Sequence, residues 1–94
     1  MIVGILTVTL GIPGSNSLKD KRQVVRSILA LIRNKFNVSA AEIDHLDLHR
    51  RAGLAFACVS NDKILVNSIL DKILDYIESN PLCEVVESGM DFVY

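Results

Sequence analysis

Tryptophan is absent from this chain of 94 residues, and phenylalanine and tyrosine together number five. The apolar half of the composition is therefore aliphatic. Two cysteines, Cys58 and Cys83, are too few for a disulfide framework and lack the paired spacing of a zinc site. With two prolines and five glycines there is no linker or low-complexity stretch, and no repeat is visible. The apolar opening run, Met1–Leu10, falls well short of the ~20 residues that cross a bilayer. It also lacks a basic flank and a small-residue cleavage site, so it reads as a strand and not as an export signal. A reducing cytoplasm is the expected compartment, without membrane contact.

Acids are scarce in the first third. Residues 1–35 hold six bases (Lys19, Lys21, Arg22, Arg26, Arg33, Lys35) against Asp20 alone, while the remainder holds four bases against ten acids. The two parts carry +5 and −6 within a net charge of −1. Such a division gives the molecule a basic element that can meet an anionic partner. A mean hydropathy of +0.36 is high for a small domain and points to a second buried surface, hence a homo-oligomer.

The pattern along the chain predicts one domain, residues 1–94. Ile2–Leu10 is β-branched and aliphatic and ends at Gly11-Ile-Pro-Gly14, as a strand followed by a loop does. Ser17-Leu-Lys-Asp20 has the form of a capping box, so a helix starts there. Leu18, Val25, Ile28, Leu29, Ile32 and Phe36 recur at helical spacing as its buried face. Val38–Leu46 and Ala52–Val59 read as strands joined around Asp47–Arg51. Ser60-Asn-Asp62 caps a second helix that buries Val66, Ile69, Leu70, Ile73, Leu74 and Ile77 and stops at Asn80-Pro81. Glu84–Val93 is the last strand. The order βαββαβ predicts an α+β, ferredoxin-like sandwich, an antiparallel sheet with two helices on one face. Leu6, Val8, Leu10, Leu54, Phe56 and Cys58 should face the helices. Ile5, Thr7, Thr9, Gly53, Ala55 and Ala57 should form a small, semi-apolar open face, suited to a homodimer.

Ser17-Leu-Lys-Asp-Lys-Arg22, Phe36-Asn-Val-Ser39, Ala41-Glu-Ile-Asp-His45, Asp47 and Val59-Ser-Asn-Asp62 resemble the YlxP-like family of small bacterial proteins, a domain of unknown function. The resemblance spans nearly the whole chain and implies a ferredoxin-like fold. Genes of that family often sit beside translation-initiation and ribosome-maturation genes, which implies a role near RNA or the ribosome. The family has no established catalytic residues, so none is carried over. His49 stands where its members more usually have an aromatic residue.

At 100° per residue, Lys19, Arg22, Arg26 and Arg33 fall within about 60° of arc beside the core face of the first helix. Lys21 and Lys35 are expected on the other flank. An acid-free stripe of this kind can track phosphates. It can equally be a solvated flank whose stems cover the core edge. No strand has the [K/R]-G-[F/Y] run of RNA-binding sheets that stack bases, and the third strand offers only Leu54-Ala-Phe-Ala57. His45, Asp47 and His49 alternate and would share a face of an extended strand, as weak candidates for a metal. A turn near Asp47 would break that alignment, and a His45–Asp47 hydrogen bond at a strand end is the plainer reading. Glu42 and Asp44 alternate too, with no nucleophile or oxyanion donor recognisable near them. The loop Gly11–Ser17 lacks the Gly-Lys-Ser/Thr of a nucleotide-binding loop. The expectation is a non-catalytic cytoplasmic binding protein without cofactor, meeting RNA or the ribosome through the basic helix. The alternative is a dimeric protein-interaction or small-ligand-sensing module without nucleic acid.

Overall fold

The computed structural model describes all residues, 1–94. It contains β1 (Ile2–Gly11), α1 (Leu18–Lys35), β2 (Ser39–Asp44), β3 (Arg51–Ser60), α2 (Lys63–Glu78) and β4 (Glu84–Val93). The strands form one antiparallel sheet in the order β2-β3-β1-β4. This is the ferredoxin-like βαββαβ plan. Neither helix is long and apolar enough to cross a membrane.

Alternation along the central strands decides what is covered. Leu6, Val8 and Leu10 of β1 and Ala52, Leu54, Phe56 and Cys58 of β3 are buried. They pack against Val25, Ile28, Leu29 and Ile32 of α1 and Val66, Leu70, Ile73 and Ile77 of α2. Leu18 and Phe36, at the ends of the α1 stripe, are half-buried, as are Ile69 and Leu74 of α2. The intervening strand residues Ile5, Thr7, Thr9, Ala55 and Ala57 remain partly or wholly exposed on the opposite face. Gly53 shares that face but is covered, because a Cβ there would lie 2.7 Å from Asp44 Cβ.

Both helices begin at the expected caps. Ser17 Oγ accepts from Asp20 N at 3.0 Å, and Asp62 Oδ1 accepts from the amides of Ile64 and Leu65. Such caps satisfy amides that have no partner within the helix. The second strand is shorter than its pattern predicts. It stops at Asp44, with a register shift against β3 between Glu42 and Asp44. His45 then takes φ 57, the only non-glycine residue with positive φ. That left-handed conformation cannot continue a strand.

The two cysteines are separate. Both are free and buried, and β1 lies between β3, which holds Cys58, and β4, which Cys83 precedes. Burial pushes both thiols above their ordinary range, which keeps them protonated and unreactive at neutral pH.

Gly4 sets how closely α2 lies on the sheet. A Cβ at this position would come within 2.3 Å of Val66 Cγ1 and 2.9 Å of Leu70 Cδ1. Val66 is stiff at χ1 and fully buried, so it cannot swing aside. Gly4→Ala is therefore expected to destabilise the protein by about 1–3 kcal/mol through overpacking. Urea denaturation should show the midpoint falling with an unchanged slope.

Candidate nucleic-acid interface

The stripe lies on the outer flank of α1, where Lys19, Arg22, Arg26 and Arg33 are all exposed. The four do not share one role. The Arg33 guanidinium donates to the Ala40 carbonyl of the edge strand β2. It therefore covers part of an otherwise unpaired strand edge. The side chains of Lys19, Arg22 and Arg26 make no hydrogen bond or ion pair within the chain, whose only acid–base contacts are Lys21–Glu42 and Asp44–His45.

The flank runs along the free edge of β2. A helix advances ~1.5 Å per residue and a strand ~3.3 Å, so counting from the Arg33–Ala40 contact puts Arg26 level with Ile43 and Arg22 level with His45. The same count puts Lys21 level with His45 and Leu46, whose carbonyls it contacts. Ile43, Leu46 and Leu48 are 55%, 54% and 49% exposed at the end of β2 and in the loop beyond.

Lys21 corrects the sequence reading. It stands on the flank expected of it, opposite the stripe, but is fully buried there. Its Nζ donates to His45 O at 2.9 Å and Leu46 O at 3.3 Å, and lies 2.9 Å from Glu42 Oε2. The Glu42 contact is an ion pair outside hydrogen-bonding geometry, and no other donor reaches that oxygen. The signal was present in the sequence. Lys21, Val25, Ile28 and Ile32 repeat at the spacing of one helix face, and Glu42 alternates with the inward Ala40.

The remaining candidates separate. Glu42 serves Lys21, whereas Asp44 Oδ1 accepts from His45 N at 2.8 Å, so the two carboxylates do not form an acid–base pair. The expected His45–Asp47 hydrogen bond is not made, because the chain turns at His45. The acid beside the His45 ring is Asp44, at 3.8 Å from Nε2. The turn also takes Asp47 and His49 off any common strand face, and no three His, Cys, Asp or Glu residues converge. Before α1, the Asp20 carboxylate accepts from Asn16 N at 3.1 Å, placing the chain's own anion at this helix start. Arg50 holds that loop to the start of β3, donating from Nε to Ser15 O at 2.9 Å.

The Lys21–Glu42 pair yields a stability prediction. Glu42→Ala leaves a buried ammonium without its counter-charge and should cost about 3–5 kcal/mol. The double replacement Lys21→Met with Glu42→Leu should recover most of that loss, because no charge is left in the core. Urea midpoints of the single and double variants decide the matter. Equal losses in both would show that the pair is not the source of the effect.

The family model described as "Protein of unknown function (DUF503)" matches residues 3–90. The Uncharacterized protein YlxP of Bacillus subtilis (strain 168) is 39% identical over 70 residues, which cover 74% of this chain and 76% of that protein. The chain belongs to the YlxP-like DUF503 family of small bacterial proteins.

Proposed function

We propose that the protein is a non-catalytic cytoplasmic binding protein that meets RNA, free or within the ribosome, through the outer flank of α1. One observation carries this reading: Lys19, Arg22 and Arg26 are exposed on one flank without any acid paired to them. Arg33 contributes charge but is held by Ala40. Successive phosphates are the natural partner for a line of unpaired cations.

With three phosphates contacted, the log–log dependence of affinity on salt should have a slope of about −2, at roughly −0.7 per contact on single strands. Arg22→Glu combined with Arg26→Glu should abolish binding with the fold intact, since these side chains do not fill the core. Fluorescence anisotropy with a short labelled RNA measures both, and an RNase-treated lysate pull-down separates RNA from an acidic protein. No binding by the wild type at low salt, or full binding by the double variant, would overturn the reading.

A second reading concerns the open sheet face and is compatible with the first. Ile5, Ala55 and Ala57 are half-buried there and Val59 is 63% exposed, while Asp91 and Glu87 of β4, paired with Ile5 and Thr9, bring two carboxylates to the β4 side of the same face. The face measures roughly 600 Å² from the strand spacing and length. That approaches the ~800 Å² per partner of a standard interface, which suits a weak homodimer. Light scattering at about 100 µM should give a mass approaching twice 10.4 kDa. Ala55→Glu should return the monomer, and a wild type that is monomeric at this concentration contradicts the dimer.

A further inference from the structure

The largest cavity of the molecule lies between the C-terminal ends of the two helices. It is a cleft of about 520 Å³ lined by Lys35, Phe36, Lys72, Asp75, Tyr76 and Ser79. Ligand sites typically span about 300–1,000 Å³. In a chain with five aromatic residues, two line this one cleft, and both are half-buried. The Tyr76 ring is covered by the Lys35 ammonium, 4.8 Å from its centroid. Lys35 is an exposed, long side chain and can leave that face without disturbing the core.

The charges of the cleft have no ion-pair partners. Lys35, Lys72 and Asp75 are exposed, and none forms an ion pair. Helix C-termini disfavour anions through their carbonyls. Here three of the four carbonyls in the last turn of α2 are occupied: Asp75 O and Ile77 O accept backbone amides, and Tyr76 O accepts from Ser79 Oγ at 2.7 Å.

The geometry points to a binding site for a nucleoside monophosphate, a planar heteroaromatic ring carrying a phosphate. The base lies against Tyr76 and Phe36 in place of the Lys35 ammonium. The phosphate is met by Lys35 and Lys72, and the Asp75 carboxylate accepts from a ribose hydroxyl or ring amino group. A free nucleotide and the end of an RNA strand share this chemistry. The site stands apart from the basic flank of α1 and does not depend on it.

The test is a titration of the full ¹⁵N-labelled chain with AMP and with GMP, alongside adenosine and inorganic phosphate. Saturable shifts are expected at the amides of Phe36, Tyr76 and Ser79, with affinity below about 1 mM and weaker binding by either control. Lys35→Glu with Lys72→Glu, both surface changes, should weaken binding at least about tenfold. Tyr76→Leu should weaken it at least about fivefold. A terminal nucleotide of a short RNA giving the same shifts identifies an RNA end as the source, and free AMP alone doing so identifies the nucleotide. The proposal is overturned by the absence of saturable shifts up to about 10 mM, by phosphate alone matching AMP, by the double-lysine variant binding as wild type, or by shifts confined to Lys19–Arg26.

Discussion

A single buried ammonium ties the halves of this molecule together. Lys21 has no solvent exposure, and Glu42, its counter-charge, has a side chain only 17% exposed. Burying such a charge costs several kcal/mol unless its contacts replace water. The replacement comes from three directions: one carboxylate and the carbonyls of His45 and Leu46. Those carbonyls can face Lys21 only if the chain leaves the strand direction there. His45 does so at φ 57, and its carbonyl also accepts from Leu48 N at 3.1 Å. The pin thus fixes where β2 ends, how α1 lies across it, and how the following loop is shaped. Left-handed backbone at a non-glycine residue persists where its surroundings over-determine it.

The pin also accounts for how the basic residues of the first third are divided. Lys21 is structural, Arg33 covers the edge of β2, and Lys35 rests on the Tyr76 ring. Lys19, Arg22 and Arg26 have no ion-pair partner within the chain. Because Lys21 and Arg33 hold α1 to β2 at both ends, those three stand in a fixed line beside the strand edge. A preorganised line of cations binds anions without first ordering the backbone that carries them.

The fold was legible because its signals are local and repeat. Period-two aliphatics mark β1 and β3, period-3.6 aliphatics mark both helices, and Ser17 and Asp62 mark their starts. The end of β2 was not, since apolar residues run on past it through Ile43 and Leu46 while a tertiary contact ends the strand. The stripe was legible as a set of residues on one helix face. That Arg33 belongs partly to the scaffold was not, because Ala40 O presents no side-chain signal. The burial of Lys21 was half legible: its angle lies within the core face, but Glu42 and the carbonyls of His45 and Leu46 reach it only after folding. The cleft between the helices could not be seen from the chain, since residues 35–36 and 72–79 meet only after folding.

The most direct measurement of the central claim is NMR of the lysine side-chain ammonium groups in the folded protein. A buried, hydrogen-bonded ammonium is shielded from exchange with water, whereas exposed ones exchange too fast to be seen near neutral pH. The account predicts one persistent ¹H–¹⁵N ammonium signal, assigned to Lys21, with cross-peaks to the His45 and Leu46 region. The signal should vanish in Lys21→Met and leave the other four lysines unobserved. A Lys21 ammonium that exchanges as fast as those of Lys19 and Lys72 would contradict the account.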